Sequence, residues 1–401
     1  MDKFSNHLKN IIHGFFLTIG VTIAEPSTIL PLMVNYFGGS SMIVGLFATL
    51  LRGGAIVVQL FAAFKSQSYV RMIPYLRRVF IFRFISWFLI GVAINFLGNN
   101  HPSLTLVCIG IGLFGFSFSA GFGAIYFKDI VAKIFSHKFR GKTMAYRQFF
   151  SGLGGLISGA ITAIMLEKFK APYSFGYLFM LSSFIMALGY IAFATINEPA
   201  KQDIPIRENS FKKFLKNSLK ILKGDKDLQI QLSTFLFAYG YLIALPFIIL
   251  QAKETIHLNG VAIGSLITAQ MVGAMLSNFL WGNLSGRGHN KLTSIISIIL
   301  HISAIVLAVF SSSIYLYMLV FFLMGAATDG NRIASGNLIL ILAPEKLRPT
   351  YVALQVNIVS FGIFFSVLGG AILHFSNYGV LYTVTIATLA LALFLSFKLK
   401  D

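Results

Sequence analysis

The chain has 401 residues, of which 56% are hydrophobic and 11% are charged, and its mean hydropathy is +0.80. This composition excludes an ordinary soluble domain. The formal net charge of +19 would suggest nucleic acid as the partner of a soluble protein. Here the basic residues lie in short loops beside apolar runs, where anionic lipid headgroups attract them. We therefore expect a lipid bilayer with anionic lipids as the partner, and no nucleic acid.

Twelve apolar runs follow one another along the chain, each about 20 residues long or longer. An α-helix needs this length to cross about 30 Å of hydrocarbon. The runs of the first half lie near residues 11–36, 42–64, 79–97, 102–127, 143–166 and 173–196. Those of the second half lie near 229–251, 260–284, 292–310, 314–342, 349–374 and 378–397. We predict an all-α polytopic membrane protein with 12 transmembrane helices, numbered here as spans one to twelve.

The loops between the spans alternate in charge. One side carries 25 of the 32 Lys and Arg residues, whereas the other side carries only Lys168, Lys170 and Lys253. The positive-inside rule assigns the basic side, with both termini, to the cytoplasm, and we expect the cytoplasmic (inner) membrane as the location. Four basic residues remain within the spans: Arg52, Arg83, Arg147 and Arg332.

The longest polar segment, 197–228, lies between spans six and seven. It divides the chain into an expected N-terminal six-helix bundle over 1–196 and a C-terminal one over 229–401. Five apolar residues of this linker recur on one helical face, which is typical of an amphipathic helix on the cytoplasmic membrane surface. They are Phe211, Phe214, Leu215, Leu219 and Leu222. A plain solvated linker is the alternative.

The two halves also match weakly in sequence. A shift of 219 residues aligns Gly45 with Gly264 and Gly54 with Gly273. A second shift, of 208 residues, aligns Arg140 with Arg348, just before span eleven. Parallel repeats are expected where two halves rock against each other. We predict two pseudo-symmetric six-helix bundles.

Two acidic residues lie deep within spans. Glu25 comes about fourteen residues into span one, directly before Pro26, and Asp329 comes about fifteen residues into span ten. A charge at the bilayer centre costs about 2.5–3.5 kcal/mol on insertion scales, and burial favours the neutral carboxyl group. Both residues are therefore candidates for proton coupling. The alternative is a static ion pair, of Glu25 with Arg52 or of Asp329 with Arg332.

Arginines within the spans are candidates for substrate binding. Arg52, Arg147 and Arg332 carry planar guanidinium groups that suit an anionic substrate, although Arg147 has the alternative of reaching the cytoplasmic interface. We expect Arg83 to reach that interface. Other polar residues are candidates for the same cavity, with an interhelical hydrogen bond as the alternative for each. They are Tyr239, Gln270, Asn278, Asn331, Gln355 and Asn357.

Several loops resemble those of the major facilitator superfamily of secondary transporters, and the resemblance covers essentially the whole chain. The segment from Gly282 to Lys291 resembles the family loop G-x-L-a-D-R-x-G-R-R, with Gly286 where the acidic residue is usual. Asn197-Glu198-Pro199 resembles the family's Pro-Glu type segment after span six.

The resemblance implies that spans one, four, seven and ten line a central cavity and that cytoplasmic loops form a gate. The gate residues it implies are Asp129, Arg140, Gly282, Arg287, Glu345 and Arg348. The corresponding loop of the first half, from Ala62 to Arg78, keeps basic charge but little else of the motif. Because the usual acid is missing from both loops, the usual pairing at this gate is in question.

The function implied is secondary active transport of a small organic solute by alternating access, without a cofactor and driven by an ion gradient, most simply of protons. Three intramembrane arginines beside two acids favour an anionic or zwitterionic solute. The sequence holds no Walker loop, His/Cys metal cluster or serine-nucleophile elbow, so we expect no enzyme and no metal site. An exporter of amphipathic or drug-like compounds is one alternative. Another is a non-transporting receptor, assembly factor or lipid-handling protein of the same fold. We expect a monomer.

Overall fold

The computed structural model describes residues 2–25, 27–66, 69–200, 219–344 and 347–401. Within these ranges the chain is helical and contains no strand. Among the described residues, eleven helical stretches are long and apolar enough to cross a membrane, and span one of the twelve predicted is not among them. The expected all-α polytopic membrane architecture is confirmed.

The helices of the first half follow the predicted spans but extend beyond several of them. They are α1 (Asp2–Ile23), α2 (Ile29–Tyr36), α3 (Ser41–Ser66), α4 (Ile73–Leu97), α5 (Pro102–Ile134), α6 (His137–Lys168) and α7 (Tyr173–Ala194). Basic residues expected in loops, such as Lys9 and Lys133, therefore lie within helices. The apolar run marks the part of each helix suited to lipid rather than the whole helix.

The second half contains eight α-helices among its described residues and two 3₁₀ segments. The elements are α8 (Lys226–Ala238), a 3₁₀ segment (Tyr239–Ile243), α9 (Leu245–Thr255), α10 (Gly260–Gly286), α11 (Asn290–Phe310), α12 (Ile314–Leu342), α13 (Arg348–Ser360), a 3₁₀ segment (Phe361–Phe364), α14 (Phe365–Phe375) and α15 (Tyr378–Ser396). Side-chain caps fix three of the helix starts. Asp225, Ser313 and Asn377 each accept a hydrogen bond from the backbone nitrogen three residues ahead, at 3.0, 3.4 and 3.1 Å.

Span one is not the single helix that its apolar run predicts. The helix stops at Ile23 and resumes at Ile29, and between them the Glu25 carbonyl accepts hydrogen bonds from the backbone nitrogens of Thr28 and Ile29 at 3.2 and 2.9 Å. Span seven is likewise interrupted by the 3₁₀ segment ahead of Pro246, whose ring nitrogen has no proton to donate to a continuing helix.

The chain forms two compact units. Unit 1 comprises Met1–Gly39, Phe47–Glu208 and Asn259–Thr268, and unit 2 comprises Ser40–Leu46, Asn209–Leu258 and Ala269–Asp401. The units follow the two expected halves, except that the start of α3 belongs to unit 2 and the start of α10 to unit 1.

Small residues make both of these exchanges possible. Within unit 2, Ser41 donates its hydroxyl to the Gly370 carbonyl at 3.0 Å. Within unit 1, a side chain added at Gly264 would meet Gly159 and Ala163 of α6. Such close backbone approach is how helices pack in lipid, where apolar burial supplies no driving force between them.

Each unit contains a fully buried tryptophan. Trp87 of unit 1 donates its indole proton to Ser182 at 2.5 Å, and its ring lies 4.3 Å from that of Phe116. Trp281 of unit 2 donates to the Ala326 carbonyl at 3.0 Å. Each indole buries a large apolar surface while its one polar atom keeps a partner, which fixes the register of neighbouring helices.

Two apolar grooves lie on unit 1. The larger, of about 700 Å³, runs between α4 and α5, and Cys108 lies in its wall with Ser86 and Gly112. The smaller, of about 300 Å³, runs between α4 and α7 and has Arg77 in its wall. None of the candidate site residues lines either groove.

The predicted linker helix falls mostly outside the described residues, which exclude Phe211, Phe214 and Leu215. Residues 219–224 are helical. Leu222 packs against the apolar core of unit 2, whereas Leu219 is exposed.

Candidate functional site

Glu25 lies at the break in span one and is 8% exposed. Both of its hydrogen-bond donors belong to Ser27, whose hydroxyl lies 3.0 Å and whose backbone nitrogen lies 3.4 Å from Oε1. The Thr28 hydroxyl oxygen in the same break is buried and has no hydrogen-bond partner. The break therefore gathers several polar groups within a mostly apolar span.

Arg52 lies on α3 and is half-buried. Its positive charge acts on the Glu25 carboxylate. Among the described residues, however, no hydrogen bond or direct ion pair joins Arg52 to Glu25. The static pair that was the alternative reading of Glu25 is thus not a contact pair in this structure.

Asp329 lies on α12 and has two partners. Arg332, one turn further along the same helix, places Nη2 2.9 Å from Oδ1. Asn278 of α10 donates to Oδ2 at 2.8 Å. The Asp329 side chain is 16% exposed and that of Arg332 59% exposed, so the pair lies at the edge of its unit rather than in the core.

Asn331 is close in sequence to this pair but is turned inward. The residue is buried, and its Oδ1 has no hydrogen-bond partner. An orphaned buried acceptor is uncommon in folded proteins and marks a place where a donor can bind.

Gln355 joins three helices of unit 2. Its Oε1 accepts from Gln231 Nε2 at 2.9 Å, and its Nε2 donates to the carbonyl and hydroxyl oxygens of Ser335 at 2.9 and 2.8 Å. Both amide groups of the pair are buried. These contacts match the interhelical hydrogen bond that was the alternative reading of Gln355.

The remaining cavity candidates lie on α13, on the 3₁₀ segment of span seven and on α10. Asn357 donates to the Ala353 carbonyl of its own helix at 2.6 Å. Tyr239 begins the 3₁₀ segment of span seven and packs against Gly362. The Gln270 backbone carbonyl contacts Gly325 where α10 and α12 cross.

Arg147 forms hydrogen bonds with residues of α1 instead of extending to the membrane interface. Its Nη1 donates to the Asn10 carbonyl at 2.7 Å and lies 2.8 Å from His13 Nδ1. Arg83 is also directed inward, contrary to expectation. Its guanidinium carbon lies 4.2 Å from the centre of the Phe116 ring, and its Nε is buried. Neither contact could be predicted from the sequence, because the partners lie on different helices.

His301 of α11 connects the break in span seven to α12. It is fully buried, and its ring stacks on that of Tyr241 in the 3₁₀ segment, with centroids 4.3 Å apart and planes 6° apart. Its Nε2 lies 3.4 Å from the hydroxyl of Thr328, the residue before Asp329. His301 is a packed imidazole, and its position beside the break in span seven and beside α12 could not be predicted from the sequence.

The implied gate residues are dispersed. Asp129 pairs with Lys133 at 2.7 Å, and Arg140 donates to the Ala132 carbonyl near the end of α5 at 2.9 Å. Gly282 and Arg287 are exposed on or beside the end of α10. Glu345 lies outside the described residues, and Arg348 is described only as the first residue of α13.

Glu198 has several partners among the described residues, and the implied gate residues did not include it. It is almost fully buried, accepts backbone hydrogen bonds from Met72 and Ile73 at 2.8 Å each, and pairs with Lys133 at 2.5 Å. The sequence signal was the Asn-Glu-Pro segment after span six, which carried the resemblance but was assigned no role.

Comparison with solved structures shows the same fold over nearly the full chain. A variant of the nucleoside transporter NupG is 12% identical, with 99% of this chain and 100% of that chain covered and a TM-score of 0.75. A D-xylose-proton symporter is 14% identical, with coverage of 98% and 97% and a TM-score of 0.72. A bacterial homologue of the iron transporter ferroportin, in an inward-facing state, is 12% identical, with 98% of both chains covered and a TM-score of 0.71.

No curated protein sequence matches the chain significantly. The sequence profile of one family, however, matches residues 11–228 and 230–401, which is nearly the whole chain. Together with the all-helical architecture of its described residues, this match confirms the resemblance carried by the loop motifs. The chain belongs to the Major Facilitator Superfamily.

Proposed function

We propose that the chain is a secondary active transporter that moves a small organic solute across the cytoplasmic membrane by alternating access, coupled to a proton gradient. Family membership supports transport as the activity. The internal repeat supports alternating access, because transporters that work in this way are often built from two related bundles.

The observation that carries the proposal is the Glu25 carboxylate at the break in span one. It is buried, and its hydrogen-bond donors are neutral groups of a single residue, Ser27. A carboxylate in such surroundings is costly to keep ionised unless a positive charge approaches or water enters. Arg52 supplies a positive charge close by but not in contact. Small movements that change either the access of water or the distance to Arg52 would therefore load or release a proton.

The matching breaks in spans one and seven support a binding site nearby. Each is the first span of its half, and interrupted helices at corresponding positions are the best pointer to substrate and ion sites in repeat-built transporters. In the first half the break contains Glu25 and Thr28, and in the second it contains Tyr241 next to His301.

The Asp329–Arg332 pair supports an anionic or zwitterionic solute. Arg332 uses Nη2 for Asp329, and more than half of its side chain is exposed, so its other N–H groups remain for a carboxylate or phosphate. Asp329 beside it suits an ammonium group. A zwitterion would bind Arg332 through its anionic group and Asp329 through its ammonium group, and the net charge of the pair would stay at zero.

The test uses purified protein in lipid vesicles with an imposed pH gradient. Uptake of radiolabelled succinate, glycine, uridine and D-xylose would be compared with and without the gradient. We expect uphill accumulation of at least one probe, with preference for succinate or glycine. Glu25→Gln should abolish accumulation yet keep exchange of labelled for unlabelled solute, because the substituted site no longer releases a proton.

Glu254→Gln, which changes an exposed carboxylate, is the matched control and should retain accumulation. Accumulation that persists in Glu25→Gln would refute the assignment of Glu25 as the proton-coupling residue. The absence of gradient-dependent flux for every probe would count against import of these solutes. If cationic dyes leave the vesicles while none of the four probes is taken up, the exporter alternative is supported.

A further inference from the structure

Two nitrogen-bearing side chains from different helices meet inside unit 1, and a third lies close enough for its charge to act on one of them. Arg147 of α6 places Nη1 2.8 Å from Nδ1 of His13 on α1. The charge of Arg83 on α4 also acts on the His13 ring. Four aromatic rings surround the imidazole, with centroids between 4.9 and 6.1 Å away: Phe80, Phe127, Tyr190 and Phe193.

The contact with Arg147 determines which nitrogen of His13 carries the proton. A guanidinium group only donates hydrogen bonds, so Nδ1 must accept and the proton of a neutral ring lies on Nε2. This Nε2 is buried without a hydrogen-bond partner, in a residue that is 4% exposed. Arg83 Nε is a second buried donor without an acceptor.

No negative charge balances the two arginines. Neither forms an ion pair with any carboxylate of the described chain. Their partners are instead aromatic faces, Phe116 at 4.2 Å from Arg83 and Phe127 at 4.8 Å from Arg147, together with neutral groups of α1. Cation–π contacts offset only part of the cost of charges within a membrane protein. The cluster is therefore rich in positive charge and in N–H donors that lack acceptors.

We infer that His13, Arg83 and Arg147 bind a phosphate group. Donors supplied by three different helices suit a tetrahedral oxyanion, which has several oxygens pointing in different directions, better than a planar carboxylate. The phosphate would come from a phosphorylated solute or from the headgroup of an anionic lipid. The site does not depend on the proposed transport function, because binding is measurable without flux.

The test is equilibrium binding of radiolabelled inorganic phosphate to the full-length protein in nanodiscs of phosphatidylcholine. We expect saturable binding that Arg83→Gln and Arg147→Gln each weaken by about tenfold or more, the factor that one charge-assisted hydrogen bond contributes. Arg77→Gln is the matched control, because Arg77 lies on the same helix as Arg83 but is exposed and bonds to a carbonyl. Its affinity for phosphate should not change.

A second arm uses nanodiscs of phosphatidylglycerol to distinguish the two sources. Loss of phosphate binding there supports a lipid headgroup as the occupant, whereas equal binding in both lipids supports a solute. Equal phosphate affinity of all variants, or no binding in phosphatidylcholine together with no stabilisation by phosphatidylglycerol, would overturn the inference.

Thermal unfolding distinguishes a phosphate site from a purely structural role of Arg83, because the two predict opposite changes in the unfolding temperature of Arg83→Met. Without phosphate, Arg83→Met should unfold at a higher temperature than the unsubstituted protein, because it removes an unbalanced charge and keeps the packing volume. Added phosphate should stabilise the unsubstituted protein and not the variant. A lower unfolding temperature for Arg83→Met in both conditions would mean that the cation itself stabilises the fold, and the phosphate site would be rejected.

Discussion

The Asp401 carboxylate accepts a hydrogen bond from the backbone nitrogen of Lys291 at 2.6 Å. Lys291 lies in the first turn of α11, the helix of span nine, where free N–H groups attract negative charge. The first half has the same arrangement, since Glu198 accepts from the backbone nitrogen of Met72 at the start of α4. Positions 72 and 291 are related by the same shift of 219 residues that aligns Gly45 with Gly264. Each half thus caps its third span with a carboxylate that follows its last helix.

These two caps differ in burial, and we expect their removal to have unequal effects. Glu198→Gln breaks a buried ion pair with Lys133, a change that typically costs about 3–5 kcal/mol, although Asp129 remains beside the lysine and should limit the loss. Asp401→Asn removes an exposed cap and should cost less than about 1 kcal/mol. Thermal unfolding in detergent measures both. A larger effect for Asp401→Asn would contradict this account.

Two glycines of α12 should respond oppositely to alanine. A side chain at Gly325 would collide with the Gln270 carbonyl and come within 3.1 Å of the Ala274 nitrogen, so Gly325→Ala should force α10 and α12 apart and destabilise the protein. No atom lies within 4 Å of the corresponding position at Gly336. Gly336→Ala should be neutral or stabilise by about 0.5–1 kcal/mol, because alanine loses less backbone entropy. Equal unfolding temperatures for the two variants would show that the crossing tolerates a methyl group.

The stack of His301 on Tyr241 should hold the interruption of span seven in place. His301→Leu removes a ring contact worth about 0.5–1.5 kcal/mol and should increase amide hydrogen exchange in residues 239–244. His301→Phe keeps a ring and should leave this exchange near that of the unsubstituted protein. Increased exchange in both variants would assign the effect to the lost contact with Thr328 instead of the stack.

The partners of Asp329 can be ranked by double-mutant cycles with Asn and Gln substitutions. We expect a coupling energy below about 1 kcal/mol with Arg332, whose side chain is 59% exposed. Coupling with Asn278 should be larger, since a hydrogen bond to a charged group contributes about 1.5–3 kcal/mol. The reverse order, read from unfolding free energies, would indicate that the ion pair with Arg332 is what holds Asp329.

The order of the spans followed from the sequence because the part of each helix suited to lipid is a long apolar run. Eleven of the twelve predicted spans are long apolar helices among the described residues, whereas span one is divided between α1 and α2. The Asp329–Arg332 contact was also foreseeable, since it depends only on a spacing of three residues within one helix. The interruption of span one was missed although Glu25 and Pro26 stood in the run. Hydropathy averages over a window and does not detect a local change of backbone.

Contacts between distant helices were not accessible to the same reasoning. Arg147 was a candidate for the interface or for the cavity, and it meets His13, 134 residues away. Nothing in either apolar run fixes how the helix is rotated about its axis. Arg83 was misassigned for this reason, because its depth in span three was judged without knowing which neighbours faced it.

Cys108, in the wall of the groove between α4 and α5, is the only cysteine in the chain. The substitution Cys108→Ser would therefore yield a protein with no thiol at all. Fluorescent or paramagnetic labels attached to newly introduced cysteine pairs would then report distances between the two halves without background. One conservative change gives direct spectroscopic access to the motion on which alternating access depends.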